Sequence, residues 1–526
     1  MTDKENEIIE KETQDSVAES IVESDSEKNL TEQLVELVLN RNVKLFHDQF
    51  DNGFIAVEEN GHKTLKLRSR GFKSWLSHLG WDELGKAVSS GTIETAVRTL
   101  EGHATHDSEE IKLHVRIAET DNGIIYDLGD GRAVLINKDE WKILDPAPIL
   151  FYRFGHQRLQ VAPIPGAELE KVFDFIPTPK EPRQKLLLLV WLVASVLPNF
   201  PHPILVVHGP QGSRKTTLFK LLRGLIDPSI METLTAHGDS REYVQLASHH
   251  YFLPLDNLSP IKPEFSDLLC RTVTGEGMSK RELYSDDDDI IYSFRRVVAM
   301  NGINLVVSKP DLLERSLIIE LERPQNYKEE GVLMAEFEQA RPQLLGAIIG
   351  AVQKSIKVYP GMELPEQISN FRMADFVRWG CAISIAIGHT AEEFIDALTQ
   401  NLIRQNAEAI DDSPVAQVVI AFMENKTHYQ ATPTDLLLVL QELAIKLKQD
   451  TRQREFPKTP NWLWRRLQVV ATNLMALGIK VSRDKDGARL ITFTKIYESG
   501  VNAVSGVMED SDEAALDTLN ESDIPF

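Results

Sequence analysis

The chain has 526 residues, 42% of them hydrophobic, and a formal charge of −22. That length is too great for one core and fits two or three domains, with enough apolar residues to fill them. Its two cysteines, Cys270 and Cys381, are far apart in sequence, which excludes a disulfide framework and a CxxC metal knuckle and points to a reduced, cytoplasmic setting.

The first 32 residues hold eleven acids against three bases and show no basic-then-apolar order, so no secretory signal is read there. Residues 497 to 526 hold eight acids and no base. Each end therefore carries −8, leaving about −6 for residues 33 to 496, so the negative total does not exclude basic patches on the folded part. Residues 1 to 32 and 497 to 526 are both expected to be acidic disordered tails.

From 33 to 145, short apolar alternations ("GFIAVEEN", "KLHVRIAE", "GIIYDLGDGRAVLIN") surround helical patterns near Phe72 to Leu79 and Ile93 to Leu100, which predicts a small α+β domain. A proline-rich connector follows over 146 to 182. The run Leu186 to Leu197 ("LLLLVWLVASVL") is too short for the ~20 residues that span a bilayer and reads as a buried helix.

Residues 183 to 330 alternate strand and helix patterns, which predicts a parallel sheet flanked by helices. The first strand leads into "GPQGSRKTT". The P-loop pattern GxxxxGK[ST] appears here as Gly209, four residues, Arg214, Lys215 and Thr216, with Gly212 and Ser213 inside the loop and Thr217 after it. Lysine cradles the β- and γ-phosphates of ATP, the threonine hydroxyl holds Mg2+, and backbone N–H groups at a helix N-terminus supply further donors. None of these jobs uses the side chain at 214, and a residue with Cβ fits there if it already enters the helix.

The strand "YFLPLDN" ends in Asp256, 41 residues after Lys215, where a Walker B aspartate binds Mg2+. Many ATPases place a glutamate next as general base. Here Asn257 follows, and an amide cannot take the proton of the attacking water, so hydrolysis is expected to be slow or to use another carboxylate. A third strand ends at Asn301, suited to orient the attacking water, with a buried structural asparagine as the alternative. Arg315 precedes a fourth strand, positioned for an arginine finger reaching a neighbouring subunit; a salt bridge with Glu314 or Asp311 is the alternative.

The run "LDNLSPIKPEFSDLLCRTVTGEGMSKRELYSDDDDIIYSFRRVVAMNGINLVVSKPDLLERSLIIELER" resembles a family of bacterial and phage ATP-binding proteins related to superfamily III helicases and to the helicase half of virus- and plasmid-type primase–helicases. The resemblance covers about Leu45 to Phe493. It implies an AAA+ core, usually a homo-oligomeric ring, in which Lys215, Thr216, Asp256 and Asn301 serve ATP and Arg315 acts across the interface. Relatives also carry non-glycine residues at the position of Arg214. Such helicases have a DNA-facing hairpin, matched here by Gly275 to Phe294, with Lys280 and Arg281 as phosphate contacts. The tip, Asp286 to Asp289, is four acids where a DNA channel favours bases, which weakens a translocase reading.

A helical lid is expected over 331 to 412, and helix, helix, helix, hairpin over 413 to 496. In "TPNWLWRRLQVVATNLMALGIKVSRDKDGARLITFTK", Thr459 caps a helix that ends at Gly478. Leu463, Leu467, Val470, Leu474 and Leu477 form its core stripe, leaving Trp462, Arg465, Arg466, Val469 and Asn473 opposite. A hairpin turning at Asp484 to Gly487 carries Arg483, Lys485 and Arg489. Helix plus basic wing is a winged-helix layout suited to DNA, though such domains also bind proteins.

The last residues, Asp523, Ile524, Pro525 and Phe526, follow an acidic stretch and resemble the C-terminal peptide of bacterial single-stranded-DNA-binding proteins. That resemblance implies docking on the receptors of that peptide. Taken together, the sequence predicts an α/β P-loop NTPase core of AAA+ type, between an N-terminal α+β domain and a C-terminal winged helix. Its function would be Mg-ATP turnover coupled to binding or unwinding of single-stranded or forked DNA in replication. The alternative is a slowly hydrolysing, ATP-gated DNA switch or loader without translocation.

Overall fold

The fold was read from a computed structural model that describes residues 29–57, 63–235, 240–258, 261, 263–275, 278–281, 289–292, 295–302, 310–325, 328–363, 365, 368, 371–411, 413–449, 451–452, 456–484 and 489–496. The N-terminal tail, Asp286 to Asp288, Lys485 and the Asp-Ile-Pro-Phe ending therefore lie outside the described residues. The chain divides into two compact units. One comprises 1–116, 127–134 and 143–155, and the other 117–126, 135–142 and 156–526.

In the first unit, Val43–His47, Gly53–Val57 and Lys63–Lys66 form an antiparallel sheet. Both expected helices are present, as Arg70–Leu84 and Ser90–His106. Each starts at a serine whose hydroxyl accepts a backbone N–H of the first turn. A further helix, Leu30–Leu39, opens with a capping box at Asn29 and Glu32, inside the stretch read as acidic tail. It enters the core through Leu34, Val35 and Val38, packed with Ile55, Phe72 and Leu100. Burial of one apolar face, set by a capped N-terminus, outweighs the acidic composition around it.

The second unit contains a four-stranded, wholly parallel sheet of Ile204–His208, Phe252–Leu255, Val297–Asn301 and Ser316–Glu320. Its spatial order is fourth, first, third, second. These strands are almost continuously apolar because helices cover both faces. The apolar run is a helix, Pro182–Ala194, with every residue from Leu186 to Ala194 buried. Among the described residues no helix is long and apolar enough to cross a membrane.

Ser316–Glu320 is an edge strand, and side-chain amides occupy its open side. Asn401 accepts from Ile318 N at 3.1 Å and donates to Ile318 O at 2.6 Å. Gln405 donates to Ser316 O at 2.7 Å, and Gln184 accepts from Glu320 N at 2.8 Å. These amides do the work of a fifth strand and close the edge against foreign pairing. They also fix helix Ala391–Asp411 against the sheet.

The expected helical region is made of Glu330–Val358, Ala374–Ala386 and Ala391–Asp411. Gly346 is needed in the first of these, because a Cβ there would lie 1.9 Å from Ile164 O.

The region after 413 differs in one element from helix, helix, helix, hairpin. Helices Pro414–Met423, Pro433–Lys446 and Pro460–Ala476 are present. A short strand, His428–Ala431, also pairs with Ile491–Lys495, which pairs in turn with Ile479–Arg483. Its sequence, "HYQA", alternates over only four residues, with Tyr429 and Ala431 turned to the core, too short a signal to mark a strand before its pairing is known.

Two assignments on the helix Pro460–Ala476 are corrected. Leu477, read as core, is 49% exposed beyond the last helical turn. Asn473, read as solvent-facing, is buried and donates to Asn406 Oδ1 at 2.9 Å, because the helix packs against Ala391–Asp411.

Candidate nucleotide site

In a parallel sheet all C-terminal strand ends lie on one edge, and this edge gathers the loop 209–214, Asp256 and Asn301. The loop leads into helix Lys215–Ile226, held to the sheet by Leu218, Phe219, Leu221, Leu222 and Leu225. Gly209 has φ 149°, and a Cβ on it would lie 2.3 Å from Leu321 O, so only glycine fits. Gly212 has φ 85°.

Arg214 does not enter the helix. It is the N-cap, with φ 59° and ψ 31°, in the left-handed region that glycine takes without strain and that costs other residues ~1–2 kcal/mol. Its guanidinium donates to Lys328 O at 2.9 Å, while Arg323 Nε donates to Gln211 O at 2.6 Å. Side chains therefore tie the loop to the segment that follows the fourth strand. Arg323 was not singled out from sequence, since a lone arginine after a strand carries no pattern.

Lys215 Nζ donates to Gly209 O at 2.7 Å, to Pro210 O at 3.1 Å and to Ser213 Oγ at 3.4 Å. Burial lowers the pKa of its ammonium and the charge of Asp256 opposes that shift. Thr216 Oγ1 lies 3.1 and 3.0 Å from the two carboxylate oxygens of Asp256. Thr217 follows on the first helical turn. Ser213 is fully buried.

Asn301 is 2% exposed. Its Nδ2 donates to Asp256 Oδ1 at 2.6 Å, and its Oδ1 accepts from Asn257 N at 2.8 Å. Both ends of the amide are thus engaged, and what it orients in this structure is the Asp256 carboxylate. Asn257 is exposed, with a left-handed φ of 55°.

Thr216 and Asp256 offer hard oxygen donors about one metal's width apart, which suits Mg2+ completed by water and substrate phosphates. No cluster of three His, Cys, Asp or Glu that could hold a metal ion occurs among the described residues.

Residues 176–403 match the family model of the actinomycete integrative conjugative element replication protein, RepA. Residues 415–505 match the model of the C-terminal domain of that RepA. The loop 209–214, Asp256, Asn301 and Arg315 all fall within the first RepA match, and helix Pro460–Ala476 with its hairpin falls within the second. Among solved structures, the helicase Cch of SCCmec type IV shares 13% identity, covering 86% of this chain and 92% of its own, at a TM-score of 0.44. The C-terminal region of NrS-1 shares 11% identity over 88% of this chain and 98% of its own, at a TM-score of 0.40. No curated protein matches the sequence.

Arg315 lies at the opposite edge of the sheet. It directly precedes the strand Ser316–Glu320, so about 15 Å of strand separates it from the edge that carries the loop 209–214. Its guanidinium meets Asp311 Oδ1 at 2.5 Å and its side chain is only 13% exposed. Burial raises the Asp311 pKa, but the hydrogen bonds from Arg315 and Cys270 and the nearby cations bring it below the ordinary value. Arg372, unmarked in the sequence, bridges Asp311 at 2.6 Å and Glu314 at 2.8 Å with its side chain 46% exposed.

The hairpin pairs Met278–Arg281 with Asp289–Tyr292, placing Lys280 opposite Ile290 and Arg281 opposite Asp289. In the C-terminal region, Arg465 is exposed, and Arg466 sits 5.3 Å over Trp462. Arg483 lies 5.3 Å over Trp464, whereas Arg489 is exposed. Trp462 and Val469 are 42% and 46% exposed on the same helix.

Proposed function

We propose that this chain is a replication ATPase of AAA+ type, related to superfamily III helicases, that couples Mg-ATP turnover to DNA. The observation that carries this reading is the convergence of Thr216, Asp256 and Asn301 beside a glycine-dependent loop at the C-terminal edge of a parallel sheet. The RepA matches support replication as its setting.

In this reading Lys215 pairs with the β- and γ-phosphates, and Thr216 and Asp256 hold Mg2+ directly or through water. Bound Mg2+ neutralises charge on the transferred phosphoryl group. Asn301 holds the Asp256 carboxylate toward that ion, and loop N–H groups at the helix N-terminus bind phosphate oxygens. Asn257 cannot act as base, which favours slow turnover and therefore a switch or loader over a fast motor. ATPase and strand-displacement assays on forked DNA separate these readings. DNA-stimulated turnover with unwinding supports the helicase, turnover without unwinding supports the switch, and absence of nucleotide binding overturns both.

Three helices and a three-stranded sheet after residue 413 have the composition of a winged helix, and we assign DNA contact to it. Arg465 and Arg489 are exposed, while Arg466 and Arg483 are each half-buried over a tryptophan, Trp462 and Trp464. Replacing these four by alanine is expected to flatten the slope of log K against log salt by about 0.7 to 0.9 per lost phosphate contact. An unchanged slope reassigns the domain to protein binding.

A further inference from the structure

The phosphate-loop helix is tied at its far end as firmly as at its phosphate end. Arg223, on its last turn, is 1% exposed, and Asp227, just after it, is fully buried. The Arg223 guanidinium donates to Phe252 O and, at 2.6 Å, to His250 Nδ1, and lies 3.4 Å from Asp227 Oδ2. Asp227 Oδ2 in turn accepts from Tyr251 N at 3.2 Å and from Phe252 N at 3.3 Å. The helix carbonyls that have no partner within the helix are capped from outside. Tyr126 donates to Ile226 O at 2.9 Å, and Gln160 donates to Leu225 O at 3.1 Å.

Phe252 begins the strand that ends beside Asp256. Along the helix, Thr216 and Arg223 are about 10 Å apart at 1.5 Å per residue. Along the strand, Phe252 and Asp256 are about 13 Å apart at 3.3 Å per residue. Helix and strand are thus two sides of a frame, joined at one end by Thr216 and Asp256 and at the other by Arg223, Asp227 and His250.

We infer that Arg223 and Asp227 are positioning residues that set the Thr216 to Asp256 spacing for the magnesium ion of a bound nucleotide. This rests on the nucleotide reading above. A forked guanidinium that spans a carbonyl, an imidazole and a carboxylate fixes both the lateral and the axial offset of helix against strand, which a single apolar contact does not. The imidazole stays an acceptor over the ordinary pH range. Burial, and next the Arg223 charge, push His250 down to about 3, and burial pushes the His156 ring stacked on it at 3.8 Å down to about 4.

The test uses the full chain and two variants. Arg223→Lys keeps the charge beside Asp227 but cannot span all three acceptors, and Arg223→Met with Asp227→Asn removes both charges together. Thermal unfolding without nucleotide reports whether each folds. Binding of a fluorescent ATP analogue is then titrated in EDTA and against Mg2+, alongside turnover. The expected result is unchanged affinity in EDTA with a Mg2+ requirement raised by about tenfold or more, in binding and in turnover alike. An unchanged Mg2+ requirement in a folded variant overturns the assignment, as does failure of both variants to fold, which would make the lock purely structural. If the unaltered chain binds no nucleotide, it is the nucleotide reading that fails.

Discussion

Lys215→Ala should abolish nucleotide turnover, with a loss of at least about 10³-fold, on the scale seen when a preorganised charge on the transferred phosphoryl group is removed. The geometry makes this variant informative. Lys215 Nζ bonds to Gly209 O, Pro210 O and Ser213 Oγ, all within its own loop. Its removal therefore takes away the ammonium that spans the loop without touching the sheet or the buried side of the helix. The side chain contributes little to the core, and the thermal midpoint without nucleotide should change only slightly. Steady-state phosphate release and binding of a fluorescent ATP analogue check the prediction. Turnover and affinity equal to those of the unaltered chain would remove the phosphate-loop assignment and the functional reading with it.

Arg315→Ala should leave nucleotide binding intact while lowering turnover by about 10³-fold or more, if the residue acts on the ATP of a neighbouring copy. The fold supplies the condition for this: Arg315 lies across the sheet from its own phosphate loop and cannot reach it without unfolding the strand. It also supplies an obstacle, because the guanidinium is held by Asp311 and largely covered. Action in trans therefore requires that bridge to open when copies meet. Arg372, joined to the same carboxylate and more exposed, is the control. Mixing Arg315→Ala with Lys215→Ala should restore part of the activity, since each copy supplies the group the other lacks. No restoration, or a loss confined to Arg372→Ala, removes Arg315 from the trans role.

What the sequence determined by itself was the set of elements whose signal is local. The loop 209–214, proposed to hold phosphate, was legible as a pattern because its glycines, lysine and threonine are close together in the chain. The parallel sheet was legible from apolar runs interrupted by helical patterns. The C-terminal helix announced itself by Thr459, Pro460 and Gly478.

The tertiary structure decided whatever depends on partners distant in sequence. His428–Ala431 is a strand because Ile491–Lys495 pairs with it, and Leu30–Leu39 is a helix in the core because Phe72 and Leu100 cover it. Asn473 is buried by a helix that ends about 60 residues earlier in the chain. Asn301 is turned toward Asp256, 45 residues away, and its amide, which sequence alone left between orienting water and a buried structural role, bonds a carboxylate and a backbone N–H. Arg214 takes a left-handed backbone because the loop must close onto the helix, whatever residue occupies the position. A hydrogen bond needs about 3 Å between two atoms in space. Sequence spacing encodes that proximity within a turn or a strand pair, but across a fold only packing does.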